Sequence, residues 1–194
     1  MKEKSLKNIL IVSDIDGTLM DHHYDLTPAL GTISFLRDNL IPLILCTSKT
    51  ASEVRKIRKQ IGIEDPFIVE NGGAIYGNSN QLENEWELIL GRTFSELRYI
   101  LDQLSNDIGF SLRALNDLSF EEVKNLTGLD DIDIELALDR HWSVPFLNPP
   151  LEYRDKLNDL LDTIVQTGDM VITMGAGNIW RYSDKYNKHL NIYE

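Results

Sequence analysis

Two aspartates lie two residues apart near the start of the chain, in the run Asp14-Ile15-Asp16-Gly17-Thr18. Residues 9–12 before them are apolar and mostly β-branched, which predicts a strand buried on both faces, as in a parallel sheet. Open α/β sheets bind ligands beyond the carboxyl ends of their strands, so both carboxylates are expected in a ligand-binding crevice. Mg²⁺ prefers such oxygen ligands and is commonly held by one or two carboxylates together with a phosphate group.

Each aspartate has its own possible task in phosphoryl chemistry. Asp14, the first of the pair beyond the strand, is placed for in-line attack on phosphorus, which forms an aspartyl-phosphate. Asp16 could protonate the leaving oxygen and then deprotonate the attacking water. An Asp-x-Asp pair is also common on solvated loops; the strand before it and the Gly-Thr after it favour a functional site.

A second group of candidates follows the next predicted strand, residues 43–46. The hydroxyl of Thr47, with Ser48 and nearby backbone N–H groups, could bind phosphoryl oxygens, and Lys49 adds a positive charge. The alternatives are that Thr47 and Ser48 only begin the next helix and that Lys49 is a solvated side chain.

The first 76 residues alternate between strand and helix patterns, which predicts a parallel sheet with right-handed crossovers. Thr27 is predicted as an N-cap before Pro28. Thr50 and Glu53 have the spacing of a capping box, and Gly62 is predicted to end that helix.

The pattern changes near residue 77. Two antiparallel strands are predicted at 74–76 and 86–90, and capping boxes at Thr93 and Ser119 predict two helices. Further strands are predicted at 110–115, 142–147 and 170–174, and an amphipathic helix follows Pro150. The predicted domains are therefore a core, residues 1–76 and 149–194, and an inserted α+β unit, residues 77–148.

The composition limits the possible partners. The 194 residues carry a formal net charge of −12, which argues against a nucleic-acid or anionic-membrane surface. Residues 1–8 lack a signal-peptide pattern, and no run approaches the roughly 18 apolar residues of a membrane span, so a cytoplasmic protein is expected. Cys46 is the single cysteine and is expected to be a buried small residue.

The motifs resemble the haloacid dehalogenase (HAD) superfamily of Mg²⁺-dependent phosphatases. Residues 11–19 match its first motif, and Thr47 matches its second. Residues 45–50 and 70–75 resemble one branch of the superfamily, the mannosyl-3-phosphoglycerate phosphatases. The likeness covers about residues 1–148. The resemblance implies an α/β fold, a HAD-like Rossmannoid parallel sheet with an inserted α+β C2-type cap. It also implies Mg²⁺ as cofactor and a small phosphorylated metabolite, a sugar or glycerate phosphate ester, as substrate.

The resemblance also implies roles for single residues. Asp14 becomes the nucleophile with its carboxylate on Mg²⁺, and Asp16 the acid/base with its backbone carbonyl on the metal. Thr47 holds the transferring phosphoryl group, and the residues implied around the phosphate and substrate are Ser48, Lys49, Asn71 and Arg140. Arg140 could equally be a surface salt-bridge partner.

The chain departs from the superfamily in one major respect. In the superfamily a Gly-Asp-x-x-Asn/Asp motif supplies further Mg²⁺ carboxylates, and residues 149–194 contain no recognisable motif of this kind. Lys185 or Lys188 could replace the lysine of the third motif. Residues 168–180 instead resemble the C-terminal end of Mur ligases. An alternative function is therefore a catalytically impaired binding or regulatory protein. A further possibility is that the missing ligands come from elsewhere, such as another subunit of a homo-oligomer or an unrecognised part of residues 149–194.

Overall fold

A computed structural model describes residues 9–21, 23–79 and 82–164 of the chain. One five-stranded sheet, in the order β1-β2-β3-β4-β5, organises this part of the molecule. β1 to β3 are parallel, whereas β3, β4 and β5 pair antiparallel, so the predicted α/β class is confirmed. The strands are β1 (Ile11–Ser13), β2 (Leu43–Cys46), β3 (Phe67–Val69), β4 (Ala74–Ser79) and β5 (Leu82–Ile89).

Six α-helices are described. They are α1 (Leu30–Asp38), α2 (Ala51–Ile61), α3 (Phe94–Ile108), α4 (Phe120–Thr127), α5 (Asp131–Leu138) and α6 (Leu151–Ile164). None of the described helices is long and apolar enough to cross a membrane.

Local sequence determines where three of these helices begin. The side chains of Thr50, Thr93 and Ser119 each accept a hydrogen bond from the backbone N–H three residues later. The glutamate at that later position accepts a hydrogen bond from the backbone N–H of the capping residue. Two orphan N–H groups are thereby paired at each helix start. The predicted capping boxes are confirmed.

The predicted N-cap at Thr27 is wrong. Thr27 lies inside a 3₁₀ turn, Thr27–Ala29, which precedes α1. Its backbone N–H and its hydroxyl both donate to Oδ1 of Asp25, at 2.8 and 2.6 Å. An aspartate readily accepts from the residue two positions later. The N-cap position is occupied by Leu26, and Asp25, one residue earlier, pairs the first N–H group of the turn.

The core lies on one face of the sheet. Leu45, Phe67 and Val69 point to this face and are fully buried, and Val54 of α2 packs with them. On the opposite face Val12 is 56% exposed, so the prediction that the first strand is buried on both faces is wrong. The physical reason is that α1 and α2, which supply Ile33 and Val54 to the core, both pack on the first face of the sheet.

Residues 110–115 and 142–147 do not form the predicted strands. Among the described residues they meet at one isolated bridge, Ala114 with Phe146, flanked by hydrogen bonds from Leu115 N to Pro145 O and from Leu147 N to Arg113 O. Proline has no N–H to extend a ladder, and this limits the pairing here.

The connections to the region after β5 meet at one place. The carbonyl of Gly73, directly before β4, accepts from the N–H groups of Leu90 and Gly91, at 3.0 and 2.8 Å. Phe94, at the start of α3, donates to the carbonyl of His141 at 2.7 Å. The outgoing and returning chains therefore lie beside each other near the end of β3.

The division into 1–76 with 149–194 and 77–148 stays a prediction. β5, which falls in the second range, belongs to the same sheet as β1 to β4. α6 contacts the region after α3, because Tyr153 packs on Phe110 with ring centroids 4.5 Å apart. The predicted strand 170–174, the Mur-ligase-like residues 168–180, Lys185 and Lys188 lie outside the described residues.

Candidate active site

Both aspartates of the first motif lie directly beyond the carboxyl end of β1. Ile15 between them is fully buried, and its carbonyl accepts from the N–H groups of Thr18, Leu19 and Met20 at 3.2, 2.9 and 2.8 Å. This tight turn anchors Ile15 in the core while Asp14 remains exposed and Asp16 half-buried. Asp14 Oδ1 accepts from the Ile15 N–H at 2.7 Å.

Asp14 is also electrostatically close to the end of β2. Burial, and secondarily the charge of Asp14, raises the pKa of the Cys46 thiol. Cys46 is half-buried, slightly more open than predicted, because it lies on the less covered face of the sheet. Its raised pKa keeps it a neutral thiol beside the aspartates.

Thr47 is fixed by the backbone on both of its sides. It is 3% exposed; its N–H donates to Ile68 O at 3.1 Å, and its carbonyl accepts from the Asn71 N–H at 3.0 Å. The hydroxyl oxygen accepts from the Lys49 N–H at 3.2 Å. The hydroxyl proton therefore remains available for donation to an anion.

The side chain of Lys49 lies beside Asp16 and is not solvated. It is 11% exposed, and Nζ lies 3.1 Å from Asp16 Oδ1 and 3.4 Å from Glu53 Oε1. Burial acts to lower the pKa of Lys49, but the charges of Glu53 and Asp16 outweigh it, and the pKa is raised. Lys49 thus stays protonated beside Asp16. The Asp16 Oδ1 atom is buried, and its contact with Lys49 is an ion pair rather than a directed hydrogen bond.

Arg140 comes to the same loop from far along the chain. Its Nη1 donates to the Ser48 carbonyl at 3.2 Å and to Ser143 Oγ at 2.9 Å. Burial lowers the pKa of Arg140, while the charges of Glu53 and Glu70 oppose this shift. Ser48 and Asn71 are exposed beside this loop, and Asn71 adopts a left-handed φ of 58°. The structure therefore brings Arg140, Ser48 and Asn71 near Thr47.

Two buried glutamates near the site were missed as functional candidates. Glu53 is 8% exposed and is predicted from the sequence only as part of a capping box; Glu70 is 3% exposed and enters the sequence analysis only within residues 70–75 of the family resemblance. Glu53 binds Lys49, and the carboxylate of Glu70 binds the chain around residue 142. The sequence gives one indication that Glu70 is buried and paired, because this glutamate directly follows the buried strand β3.

A cavity of about 310 Å³ opens beside Lys49. It lies between the loop after β1, helix α2 and helices α4 and α5; its lining includes Tyr24, Lys49, Glu53, Lys56, Leu129 and Asp133. Lys56 forms an ion pair with Asp133, and the Tyr24 hydroxyl donates to Thr127 O at 3.2 Å. These two contacts connect α2 and the loop after β1 with α5 and α4 around the cavity.

The described residues fit part of a Mg²⁺ site. They contain no group of three His, Cys, Asp or Glu side chains that could hold a metal ion. Asp14 nevertheless offers an exposed carboxylate, and Asp16, two residues later, offers a backbone carbonyl. Such oxygen ligands together with a substrate phosphate suit Mg²⁺, so the donor chemistry is suitable when phosphate is present.

Residues 11–127 match the model of the haloacid dehalogenase-like hydrolase family. The chain belongs to this family. It is 34% identical over 178 residues to a glucosyl-3-phosphoglycerate/mannosyl-3-phosphoglycerate phosphatase of Persephonella marina, covering 87% of this chain and 64% of that protein. It is 32% identical over 148 residues to the protein of the same name from Methanococcoides burtonii, covering 71% and 54%.

The fold agrees with this family. The crystal structure of a haloacid dehalogenase-like hydrolase from Bacteroides thetaiotaomicron superimposes with a TM-score of 0.54 at 15% identity, covering 80% of this chain and 64% of that one. The HAD-like α/β fold predicted from the sequence is thus confirmed. The chain spans less than two thirds of the length of each of these two phosphatases.

Proposed function

We propose that this chain is a Mg²⁺-dependent phosphatase that hydrolyses a small sugar or glycerate phosphate ester through an aspartyl-phosphate. The observation that carries the proposal is the Lys49–Asp16 ion pair of 3.1 Å, which lies next to Thr47 at the ends of two adjacent parallel strands. The names of the two similar phosphatases support the substrate class.

In the proposed reaction, a carboxylate oxygen of Asp14 attacks phosphorus and the bond from phosphorus to the ester oxygen breaks. Asp16 donates a proton to the departing alcohol, then accepts one from the water that hydrolyses the aspartyl-phosphate, releasing inorganic phosphate. The Thr47 hydroxyl donates to a phosphoryl oxygen. When bound by the Asp14 carboxylate and the Asp16 backbone carbonyl, Mg²⁺ would neutralise phosphoryl charge, and the Asp16 carboxyl group would remain free for proton transfer.

The alcohol part of the ester is proposed to enter the cavity beside Lys49. The carboxylates that line this cavity, Glu53 and Asp133, could accept hydrogen bonds from sugar hydroxyls, and the Tyr24 ring offers an apolar wall. Ser48, Asn71 and Arg140 are proposed to contact the phosphate or the glycerate end.

Phosphate release from a panel of esters tests this proposal. The panel, with Mg²⁺, includes glucosyl- and mannosyl-3-phosphoglycerate, and the expected result is release that Asp14→Asn abolishes. Asp38→Asn is the matched control, since Asp38 is exposed on α1 and its side chain pairs only with its neighbour Arg37 in the contacts described. No release by the wild type, or full release by Asp14→Asn, would contradict the proposal.

A binding or regulatory role is the second candidate. It is favoured by the lack of a group of three metal-binding side chains among the described residues, because the two ligands from Asp14 and Asp16 alone would hold Mg²⁺ weakly. Calorimetric titration separates the two candidates: tight Mg²⁺ binding without phosphate counts against the second. Mass measurement at the assay concentration tests whether another subunit of a homo-oligomer completes the site.

A further inference from the structure

Glu70 occupies a strained position directly after β3. It has a φ of 49°, and Asn71 and Gly72 follow with φ of 58° and 92°. Left-handed backbone is costly for residues other than glycine, and it persists only where the surrounding structure holds it. Glu70 is also 3% exposed, and a buried carboxylate requires partners.

The partners of the Glu70 carboxylate come from three consecutive residues. Oε1 accepts from the His141 N–H at 3.0 Å; Oε2 accepts from the Trp142 N–H at 3.0 Å and from the Ser143 hydroxyl at 2.7 Å. Both oxygens are therefore used. The Glu70 N–H donates to the Lys49 carbonyl at 3.0 Å, which fixes the same residue to the loop that carries Thr47 and Lys49.

Arg140 directly precedes these three residues. Its Nη1 donates to Ser143 Oγ at 2.9 Å, and Ser143 in turn donates to Glu70. The same Nη1 donates to the Ser48 carbonyl at 3.2 Å. The hydrogen bonds thus run from Glu70 through Ser143 to Arg140 and on to the loop after β2.

We propose that Glu70 is a positioning residue that holds the Arg140 guanidinium beside the loop of Thr47, Ser48 and Lys49. Glu70 acts through the backbone after Arg140 and through Ser143, without touching the substrate. Nε of Arg140 is buried without a hydrogen-bond partner among the described residues, which leaves it available to an anionic group. The catalytic part of this inference rests on the proposed phosphatase function.

A carboxylate is needed at this position because all its partners are donors. Gln at position 70 keeps one acceptor oxygen and turns an NH₂ group towards an N–H or O–H donor. We therefore expect Glu70→Gln to release the chain after Arg140. Ser143→Ala breaks only the link through the hydroxyl and keeps both backbone hydrogen bonds.

A double-mutant cycle in the full chain tests the coupling. Glu70→Gln is expected to lower kcat/KM by about tenfold or more, mainly through KM, but by less than about threefold when Arg140→Ala is already present. Ser143→Ala is expected to behave in the same way with a smaller loss, and it serves if Glu70→Gln fails to fold. Equal losses in both backgrounds would overturn the inference.

Amide hydrogen exchange provides a readout that needs no activity. Glu70→Gln is expected to speed exchange at His141 and Trp142, whereas Glu121→Gln, at an exposed glutamate on α4, is expected to leave it unchanged. Unchanged exchange in Glu70→Gln overturns the positioning role. Lack of phosphate release by the wild type contradicts the phosphatase function instead, so the two failures are distinguishable.

Discussion

The ammonium group of Lys49 bridges the carboxylate of Asp16, 3.1 Å away, to that of Glu53, 3.4 Å away. Asp16 follows β1 and Glu53 lies in the first turn of α2, so one cation connects two elements of the core. The Lys49 and Glu53 side chains are 11% and 9% exposed, which weakens solvent screening of this contact. Asp16, the proposed acid/base, thus has a fixed neighbour.

Replacing Lys49 is expected to impair turnover. Lys49→Met removes the positive charge beside Asp16 and beside the proposed phosphate site, and we expect kcat/KM to fall by about tenfold or more. Steady-state kinetics measure the loss, with Lys59→Met as the control because Lys59 is an exposed lysine on α2, the helix that follows Lys49. Equal kinetics in the two variants would remove Lys49 from the site.

Thr50→Ala is expected to destabilise the fold by about 2 kcal/mol. The Thr50 side chain is fully buried, caps α2 and donates to the Leu136 carbonyl of α5 at 2.7 Å, so both hydrogen bonds are lost. Urea unfolding measures the change. Thr93→Ala removes a capping box at an exposed helix start and is expected to cost only about 1 kcal/mol. A larger loss of stability in Thr93→Ala than in Thr50→Ala would contradict the importance of the contact with α5.

Gly73→Ala is expected to cost about 1–3 kcal/mol. A Cβ at position 73 would overlap the Trp142 side chain and lie 3.2 Å from the Trp142 carbonyl oxygen. At Gly31, inside α1, a Cβ meets nothing within 4 Å, and Gly31→Ala is expected to stabilise by about 0.5–1 kcal/mol. Thermal unfolding of both variants tests the opposite signs, and a neutral Gly73→Ala would show that the two segments are not tightly packed.

The Arg113–Glu122 pair predicts an acid-sensitive contribution to stability. The hydrogen bond from Arg113, followed by those from Ser119, lowers the pKa of Glu122 from 4.5 to about 2. Because the folded-state pKa is depressed, the stabilisation is complete above pH 4.5 and is lost as the pH falls towards about 2. Urea midpoints across this range are expected to vary less in Glu122→Gln than in Glu121→Gln, its neighbour on α4. Identical pH profiles of the two variants would contradict a contribution of the Arg113–Glu122 pair to stability.

Sequence reasoning succeeded where neighbouring residues determine the structure. Thr50 and Thr93 were identified as caps because their partners lie three residues away. The positions of Asp14 and Thr47 followed from the parallel order of β1 and β2, since strand ends meet at one edge of a parallel sheet. These inferences needed only local pattern and chain direction.

It failed where distant residues decide the structure. The pairing of Glu70 with Trp142 spans 72 positions, and no local pattern indicates it. Residues 142–147 have strand-like composition, but their pairing depends on where residues 113–115 lie and on Pro145. The burial of Lys49 depended on Glu53 and Asp16 together, so its exposure could not be judged from its own sequence context.

The meeting of the outgoing and returning chains at Gly73 has an evolutionary consequence. Leu90 and Gly91 leave beside Gly73, and Trp142 returns against the same glycine, so the two covalent connections of residues 92–140 to the sheet lie side by side. A segment connected in this way can be lengthened, shortened or exchanged while the strand register stays the same. Such an arrangement lets selection change what the cavity accepts separately from the aspartates that would perform the chemistry.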